Sequence, residues 1–134
     1  MDIIITLPKD LWTKIVTGDK SVEMRKWNLP EHFDVTLNKV FVVLKGTTRV
    51  VGCFKVERVA FNPYKGAAWE EFGDKLGIDY EWFDNYWGNE EIRDMCFFFI
   101  GDTHVLGSHR NVQVARAPQK YINIDNAWES LIDF

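Results

Sequence analysis

Four ionisable side chains lie close together in the segment Gly18–Trp27 and are the best candidates for chemistry: Lys20, Glu23, Arg25 and Lys26. A lysine beside a glycine turn can contact a phosphate, or act as a base where water is excluded. An arginine held by a nearby carboxylate is pre-organised to present its fork to an anion or to a base edge. The same residues would also suit an ordinary surface strand with solvated charges.

The residues around this cluster predict a helix, a glycine stop and a strand. Pro8 suits the first turn of the helix. The apolar face of the helix consists of Leu11, Trp12, Ile15 and Val16. Gly18 fits a left-handed helix end. The strand Ser21–Trp27 then alternates its side chains, which puts Glu23 and Arg25 on the same face.

The rest of the chain predicts an α+β fold in which strands outnumber helices. Further strands are expected at residues 2–7, 40–44, 50–61, 94–106 and 112–115, and further helices at 67–76, at 79–88 and after Asp125. Gly52 marks a bulge or a bend within one strand. Because most strands follow one another as hairpins, we expect a small mixed or antiparallel barrel of about five to six strands, with helices at its rim. Residues 1–134 are expected to form a single domain.

The charge of the chain is uneven, although its total is only −4. Residues 68–95 carry nine acidic and two basic side chains, whereas residues 1–67 carry seven acidic and eleven basic ones. This distribution argues against a general nucleic-acid coat but is compatible with one basic groove. RNA binding in such a groove should be weak and should fall with salt. The aromatic content of 15% suits either a core filled with large rings or a base-stacking surface.

Other features exclude several classes of protein. Cys53 and Cys96 lie in apolar runs without a C-x-x-C pattern, which indicates buried, reduced thiols. The N-terminal segment lacks the basic region of a signal peptide, and the longest apolar run is too short for a membrane span, so we expect a cytoplasmic protein without a membrane partner. The spacing of His104 and His109 matches no common zinc pattern, and no glycine-rich phosphate loop occurs, so neither a metal nor a cofactor is expected.

The charged cluster resembles the G-x-K-x-x-E-x-R signature of the ASCH family, which is PUA-like. Gly18, Lys20, Glu23 and Arg25 stand at the matching positions. Three further segments are similar to family motifs in the same order along the chain: Val51–Val56, Leu76–Gly88 and Arg116–Tyr121. The helix before the signature is also similar to the family's helix at that place. The resemblance therefore covers nearly the whole chain.

The resemblance implies a β-barrel with a cleft that is lined by the motif strand and takes RNA or a nucleotide. The ligand-binding residues that it implies are Lys20, Glu23, Arg25 and Lys26, Trp27 or Tyr86 as stacking partners, and Arg116 and Lys120 at a basic rim. Lys20 and Arg25 would neutralise phosphate, and Glu23 would orient Arg25 or accept from a base edge.

Two alternatives to a binding domain stay open. A few small relatives resemble hydrolases that deacetylate a modified cytidine with the motif lysine, a threonine three residues later and a distant glutamate. Lys20 matches that lysine, but Glu23 stands at the threonine position, so a small hydrolase (an amidohydrolase or a ribonuclease) would use Lys20 and Glu23 as its catalytic pair. A carboxylate so close should keep the lysine charged, unless the pocket is dry. The other alternative is a regulatory domain that binds a partner through the acidic segment 68–95.

Overall fold

The described part of the chain is built on a five-stranded sheet. The structure is a computed structural model, and it describes residues 2–26 and 39–111. The strands are β1 (Asp2–Leu7), β2 (Val22–Lys26), β3 (Lys39–Leu44), β4 (Arg49–Phe61) and β5 (Met95–Asn111). They lie in the order β1-β3-β4-β5-β2, and the sheet curls into a half-barrel. β1 and β3 are parallel, and the other neighbours are antiparallel.

The described residues also form α1 (Lys9–Thr17), α2 (Lys65–Phe72) and α3 (Tyr80–Trp87), with a 3₁₀ turn at Gly73–Lys75. α1 ends at Gly18, whose φ of 86° is the left-handed conformation that glycine adopts easily. α3 begins after Asp79, whose carboxylate accepts the backbone N–H of Trp82 at 2.8 Å. The left-handed end of α1 at Gly18 is predicted from the sequence and confirmed. Within the described part of the chain, no helix has the length and apolar character needed to cross a bilayer.

The order of elements matches the prediction wherever the structure describes the chain, and the α+β, barrel-like class is confirmed. Some bounds differ, because helix and strand ends depend on tertiary contacts. The helix predicted at 67–76 begins at Lys65 and changes to a 3₁₀ turn after Phe72. The strand predicted to end at residue 106 continues to Asn111. The strand predicted at 112–115 and the helix predicted after Asp125 lie outside the described residues.

Two apolar clusters hold the helices on the sheet. α1 contributes Leu11, Trp12 and Ile15, which pack against buried side chains of the strands. α2 and α3 pack against β2 and the first residues of β5, where the rings of Phe72 and Phe97 stack with centroids 4.2 Å apart. Fully burying one such side chain contributes about 1.5–3 kcal/mol. These contacts therefore fix α1 and α3 relative to the strands that carry the motif.

β4 is irregular at Gly52, where close packing requires a glycine. The register between β4 and β5 shifts between Val50 and Gly52. A Cβ atom at Gly52 would lie 2.3 Å from the carbonyl oxygen of His104 and 2.5 Å from the ring of Trp12. The bulge predicted at this glycine is confirmed, and the missing side chain lets Trp12 of α1 pack directly onto the sheet.

Among the described strands, β1 and β2 are the two edges of the sheet, and the side chain of Arg25 connects them. Nη2 of Arg25 in β2 donates a hydrogen bond of 2.9 Å to the carbonyl oxygen of Thr6 in β1. We call this region, formed by Thr6–Leu7 and Glu23–Arg25, the seam. Because a side chain rather than a strand ladder joins the two edges here, a cavity can form between them.

Candidate functional site

Three charged side chains of the motif are buried near the seam. The exposed fraction is 2% for Lys20, 4% for Glu23 and 6% for Arg25. Charged residues are almost never so completely buried unless they are paired with one another. The interpretation of this segment as a solvated surface strand is therefore wrong, and its charges form an enclosed network.

The ammonium group of Lys20 uses all three of its N–H bonds inside the protein. Nζ donates to the backbone carbonyl oxygens of Leu76 at 2.7 Å and Val22 at 2.9 Å. It also pairs with Oε1 of Glu23 at 3.2 Å. An ammonium group has three donors, so Lys20 has none left for a ligand. Its role is to join the turn after α2 to β2 and to hold Glu23.

The carboxylate of Glu23 is saturated in the same way. Oε1 accepts from the Lys20 ammonium and from the backbone N–H of Met24 at 3.1 Å. Oε2 accepts from Nε of Arg25 at 3.1 Å and from Nη2 of Arg25 at 2.9 Å. A carboxylate has about four lone-pair positions, and four donors occupy them. Glu23 therefore orients Arg25 but has no position left to accept from a base edge.

Arg25 is the member of the network that can contact a ligand. Nε and Nη2 bond to Glu23, and Nη2 also bonds to the Thr6 carbonyl. Among the residues that the structure describes, none accepts from Nη1. Arg25 also lines a cavity at the seam. A guanidinium held on one edge by a carboxylate can present its other edge with little further loss of side-chain entropy.

Burial and charge pairing act in opposite directions within the network. Burial raises the pKa of the Glu23 carboxyl, but the charges of Lys20 and Arg25 outweigh this effect and hold that pKa below its usual 4.5. Burial lowers the pKa of Lys20 below its usual 10.5, and the attraction of Glu23 offsets only part of that effect. The three acceptors around Nζ still require an ammonium, since a neutral amine would turn its lone pair toward an oxygen. At neutral pH the network thus carries two positive charges and one negative charge.

The arrangement suits binding better than proton transfer. Lys20 has no donor or lone pair to offer a substrate, and Glu23 has no acceptor position to offer. Moving a proton between them and a substrate would break a buried ion pair, which is strongly unfavourable. Within the described ranges, no three His, Cys, Asp or Glu side chains are grouped so that they could hold a metal ion. The hydrolase alternative therefore gains no support from this geometry.

A cavity of about 320 Å³ opens beside Arg25 at the seam. Its polar lining consists of Thr6, Glu23, Arg25 and Lys45. Its apolar and aromatic lining consists of Leu7, Pro8, Leu11, Met24, Trp82 and Tyr86. The hydroxyl oxygen of Thr6 is buried and has no hydrogen-bond partner in the described part of the chain. A mainly apolar cavity of this size with a few polar groups is typical of a site that orients a small organic ligand.

α3 supplies the aromatic part of the lining. Trp82 and Tyr86 are one helical turn apart, and their rings stack with centroids 5.3 Å apart and planes inclined by 21°. The Tyr86 hydroxyl accepts the backbone N–H of Lys26 at 3.2 Å, and Nζ of Lys26 lies 4.8 Å from the ring centre. Burial raises the pKa of Tyr86 above its usual 10.0, so the phenol keeps its proton. Trp82 is 41% exposed, which leaves part of its ring accessible to a ligand.

The predicted site residues fall into three groups. Glu23, Arg25 and Tyr86 line the cavity. Lys20 does not line the cavity and has every donor used, so the phosphate contact predicted for this lysine is not supported. Lys26 is exposed and does not line the cavity, although it contacts Tyr86. Three predicted residues lie outside the described part of the chain: Trp27, Arg116 and Lys120.

Thr6, Lys45 and Trp82 line the cavity but are absent from the site predicted from the sequence. Trp82 carries a usable signal, because residues four apart on a helix share a face and Tyr86 belongs to the predicted site. Thr6 and Lys45 carry no such signal. They meet the motif only because β1 pairs in parallel with β3, which local sequence patterns do not reveal.

Comparisons with known proteins agree with this fold. No family model and no curated protein matches the chain. The crystal structure of ASCH from Zymomonas mobilis is similar, with a TM-score of 0.72 and 16% identity over 96% of this chain and 92% of that chain. A tyrosine-to-phenylalanine mutant of that protein is similar with a TM-score of 0.73 and 15% identity, over 96% of this chain and 95% of that chain. A serine-to-alanine mutant is similar with a TM-score of 0.59 and 18% identity, over 74% of this chain and 66% of that chain. This chain therefore has the fold of ASCH domains.

Proposed function

We propose that this protein binds a nucleotide, either free or within RNA, in the cavity at the seam. Nη1 of Arg25 contacts a polar group of the ligand, and the base lies against Trp82 and Tyr86. The fold supports this proposal, because PUA-like domains of the ASCH type usually bind RNA. The protein acts as a binding module, and Lys20 and Glu23 act as positioning residues for Arg25.

The single observation that carries the proposal is the enclosed guanidinium of Arg25. It is 6% exposed, it is held along one edge by Glu23, and it lines a cavity whose other side chains include two stacked aromatic rings. Charge-assisted hydrogen bonds from arginine recognise phosphates and base edges. Stacking on an aromatic ring contributes about 1–3 kcal/mol per base. Nucleotides combine both chemical features.

The proposal is tested by isothermal titration calorimetry with the four ribonucleoside 5′-monophosphates and a six-nucleotide RNA. We expect at least one of these ligands to bind at low salt, with an affinity that falls as salt is raised. Arg25→Lys should weaken binding by about tenfold or more, because lysine lacks the planar fork that Glu23 orients.

Arg58→Lys is the matched control, because Arg58 is exposed on β4 and does not line the cavity. Its affinity should equal that of the wild type within about twofold. Circular dichroism and thermal unfolding show whether each variant is folded. Wild-type protein that binds none of these ligands, or a folded Arg25→Lys variant that binds as tightly as wild type, would contradict the proposal.

A further inference from the structure

The polar and aromatic parts of the cavity lining come from different elements. Thr6, Arg25 and Lys45 belong to β1, β2 and the turn after β3, whereas Trp82 and Tyr86 belong to α3. We propose that the phosphate group of the nucleotide binds between Lys45, Nη1 of Arg25 and the first turn of α1, while the base stacks on α3. This inference rests on the proposed function and assigns the phosphate to Lys45 instead of the motif lysine, Lys20.

The backbone fixes Lys45 beside the start of α1. Leu44 is the register partner of Leu7 in the parallel pairing of β3 with β1. The backbone N–H of Lys45 then donates to the carbonyl oxygen of Leu7 at 2.8 Å. In the described part of the chain no carboxylate forms an ion pair with the Lys45 ammonium. Its charge is therefore at the cavity and is not neutralised there by a described neighbour.

The start of α1 lies at the same part of the cavity. Pro8 and Leu11 line the cavity, and no side chain of the described residues caps this end of the helix. The backbone N–H groups of the first turn have no partner within the helix, and they carry the positive end of its dipole. Asp10 is exposed in this turn but does not line the cavity. The buried hydroxyl of Thr6, which has no partner among the described residues, adds one further donor.

The charge balance also favours an anion at this end of the cavity. The negative charge of Glu23 is paired with both Lys20 and Arg25, so the network has an excess of one positive charge. Lys45 adds a second positive charge at the lining. Phosphate is the anionic group that a nucleotide carries, and arginine, lysine and helix N-termini are its common protein partners. The same chemistry serves a free mononucleotide or a nucleotide at an RNA terminus.

The experiment compares the affinity for each nucleoside with the affinity for its 5′-monophosphate. In the wild type the phosphate should strengthen binding by about tenfold. In Lys45→Gln the ratio of the affinity for the 5′-monophosphate to the affinity for the nucleoside should fall to about two. The affinity of this variant for the nucleoside itself should change by less than about twofold. Lys55→Gln is the matched control, because Lys55 is exposed on β4 and does not line the cavity. It should keep the wild-type ratio.

A nucleoside 3′-monophosphate and a dinucleotide with an internal phosphodiester distinguish the possible sources of the phosphate. Preference for the 5′-monophosphate indicates a free nucleotide or an RNA 5′ end, and preference for the dinucleotide indicates an internal RNA phosphate. Either preference supports the inference if Lys45→Gln removes it. Nucleoside and nucleotide binding with equal affinity, or a ratio that survives Lys45→Gln, overturns the inference while leaving the proposed function intact. If neither nucleosides nor nucleotides nor RNA bind, both fail together.

Discussion

Glu23 determines the chemistry of the site at the scale of single residues, because it holds two cations and leaves neither of its oxygens for a ligand. Lys20 stabilises its charge from one side, and Arg25 does so from the other. Of these three side chains, Glu23 and Arg25 line the cavity and Lys20 does not. The motif thus prepares one guanidinium for recognition. A pair of residues poised for acid–base catalysis would need a donor or an acceptor position that this network does not leave.

Replacing Glu23 should destabilise the fold and change its pH dependence. The folded pKa of Glu23 lies below its usual 4.5, so the unfolded chain binds more protons between these two pKa values. The stability that ionised Glu23 contributes is therefore present above about pH 4.5 and is lost as the pH falls through the folded pKa. Glu23→Gln leaves two buried cations without a counter-charge and should lower the free energy of unfolding at pH 7 by about 3–5 kcal/mol.

Urea denaturation at pH 7 and at several values below pH 4.5 measures this effect. The wild type should lose stability with acid more steeply than Glu23→Gln, because the variant has no carboxyl to protonate at this site. Glu71→Gln, on the exposed face of α2, should change the free energy of unfolding by less than about 0.5 kcal/mol. A Glu23→Gln protein as stable as the wild type at pH 7 would show that the ion pairs are not the source of stability.

At the scale of elements, α3 carries the surface on which a base can stack. Trp82 is partly exposed and is not among the described hydrogen-bond or ion-pair partners of Lys20, Glu23 and Arg25, so its removal should leave these three side chains in place. Trp82→Ala should therefore weaken nucleotide or RNA binding by about 1–3 kcal/mol. The thermal midpoint should fall only modestly, since the ring of Trp82 is 41% exposed and the packing contact that is lost is its stacking on Tyr86.

Tyr80→Ala is the control for this prediction, because Tyr80 is an exposed aromatic residue on the same helix and does not line the cavity. Fluorescence anisotropy with a labelled six-nucleotide RNA measures both variants. Equal losses of affinity in Trp82→Ala and Tyr80→Ala would show that the helix contributes through general aromatic surface. Such a result would contradict the assignment of Trp82 to the cavity.

The close contact among β4, β5 and α1 predicts opposite effects of alanine at two glycines. Gly52→Ala should destabilise the protein by about 1–3 kcal/mol or more, because its Cβ would meet the His104 carbonyl oxygen and the Trp12 ring. Gly66→Ala should stabilise it by about 0.4–1 kcal/mol, because Gly66 lies in α2 and no atom lies within 4 Å of its Cβ position. Thermal and urea unfolding measure both changes, and equal effects at the two positions would refute this packing.

These elements differ in how far the sequence predicts them. α1, its end at Gly18 and the strand that carries Glu23 and Arg25 follow from local signals, namely an apolar stripe, a left-handed glycine and alternation. The cavity itself depends on contacts between distant segments. Thr6 and Lys45 meet at the seam through the parallel pairing of β1 with β3, and the burial of Lys20 depends on a carbonyl group in the turn after α2. Residue type alone therefore suggests a lysine that contacts phosphate, whereas the fold encloses it.

At the scale of the whole molecule, the site lies where the two edges of the half-barrel approach each other. The strand order β1-β3-β4-β5-β2 leaves β1 and β2 as edges, and the contact between Arg25 and the Thr6 carbonyl joins them. The acidic segment 68–95 includes α3 and most of α2, so a basic cavity lies beside an acidic surface. Long-range attraction of RNA should therefore be weak, and affinity should come from contacts inside the cavity.

An NMR titration of isotopically labelled protein with the ribonucleoside 5′-monophosphate that binds most tightly tests directly whether a nucleotide binds at the seam, between Arg25 and the aromatic rings of α3. We expect the largest chemical-shift changes at the backbone amides of Leu7, Leu11 and Lys45 and at the indole N–H of Trp82. Changes centred on the exposed part of β4, around Lys55 and Arg58, or no changes up to millimolar ligand, would contradict binding at the seam.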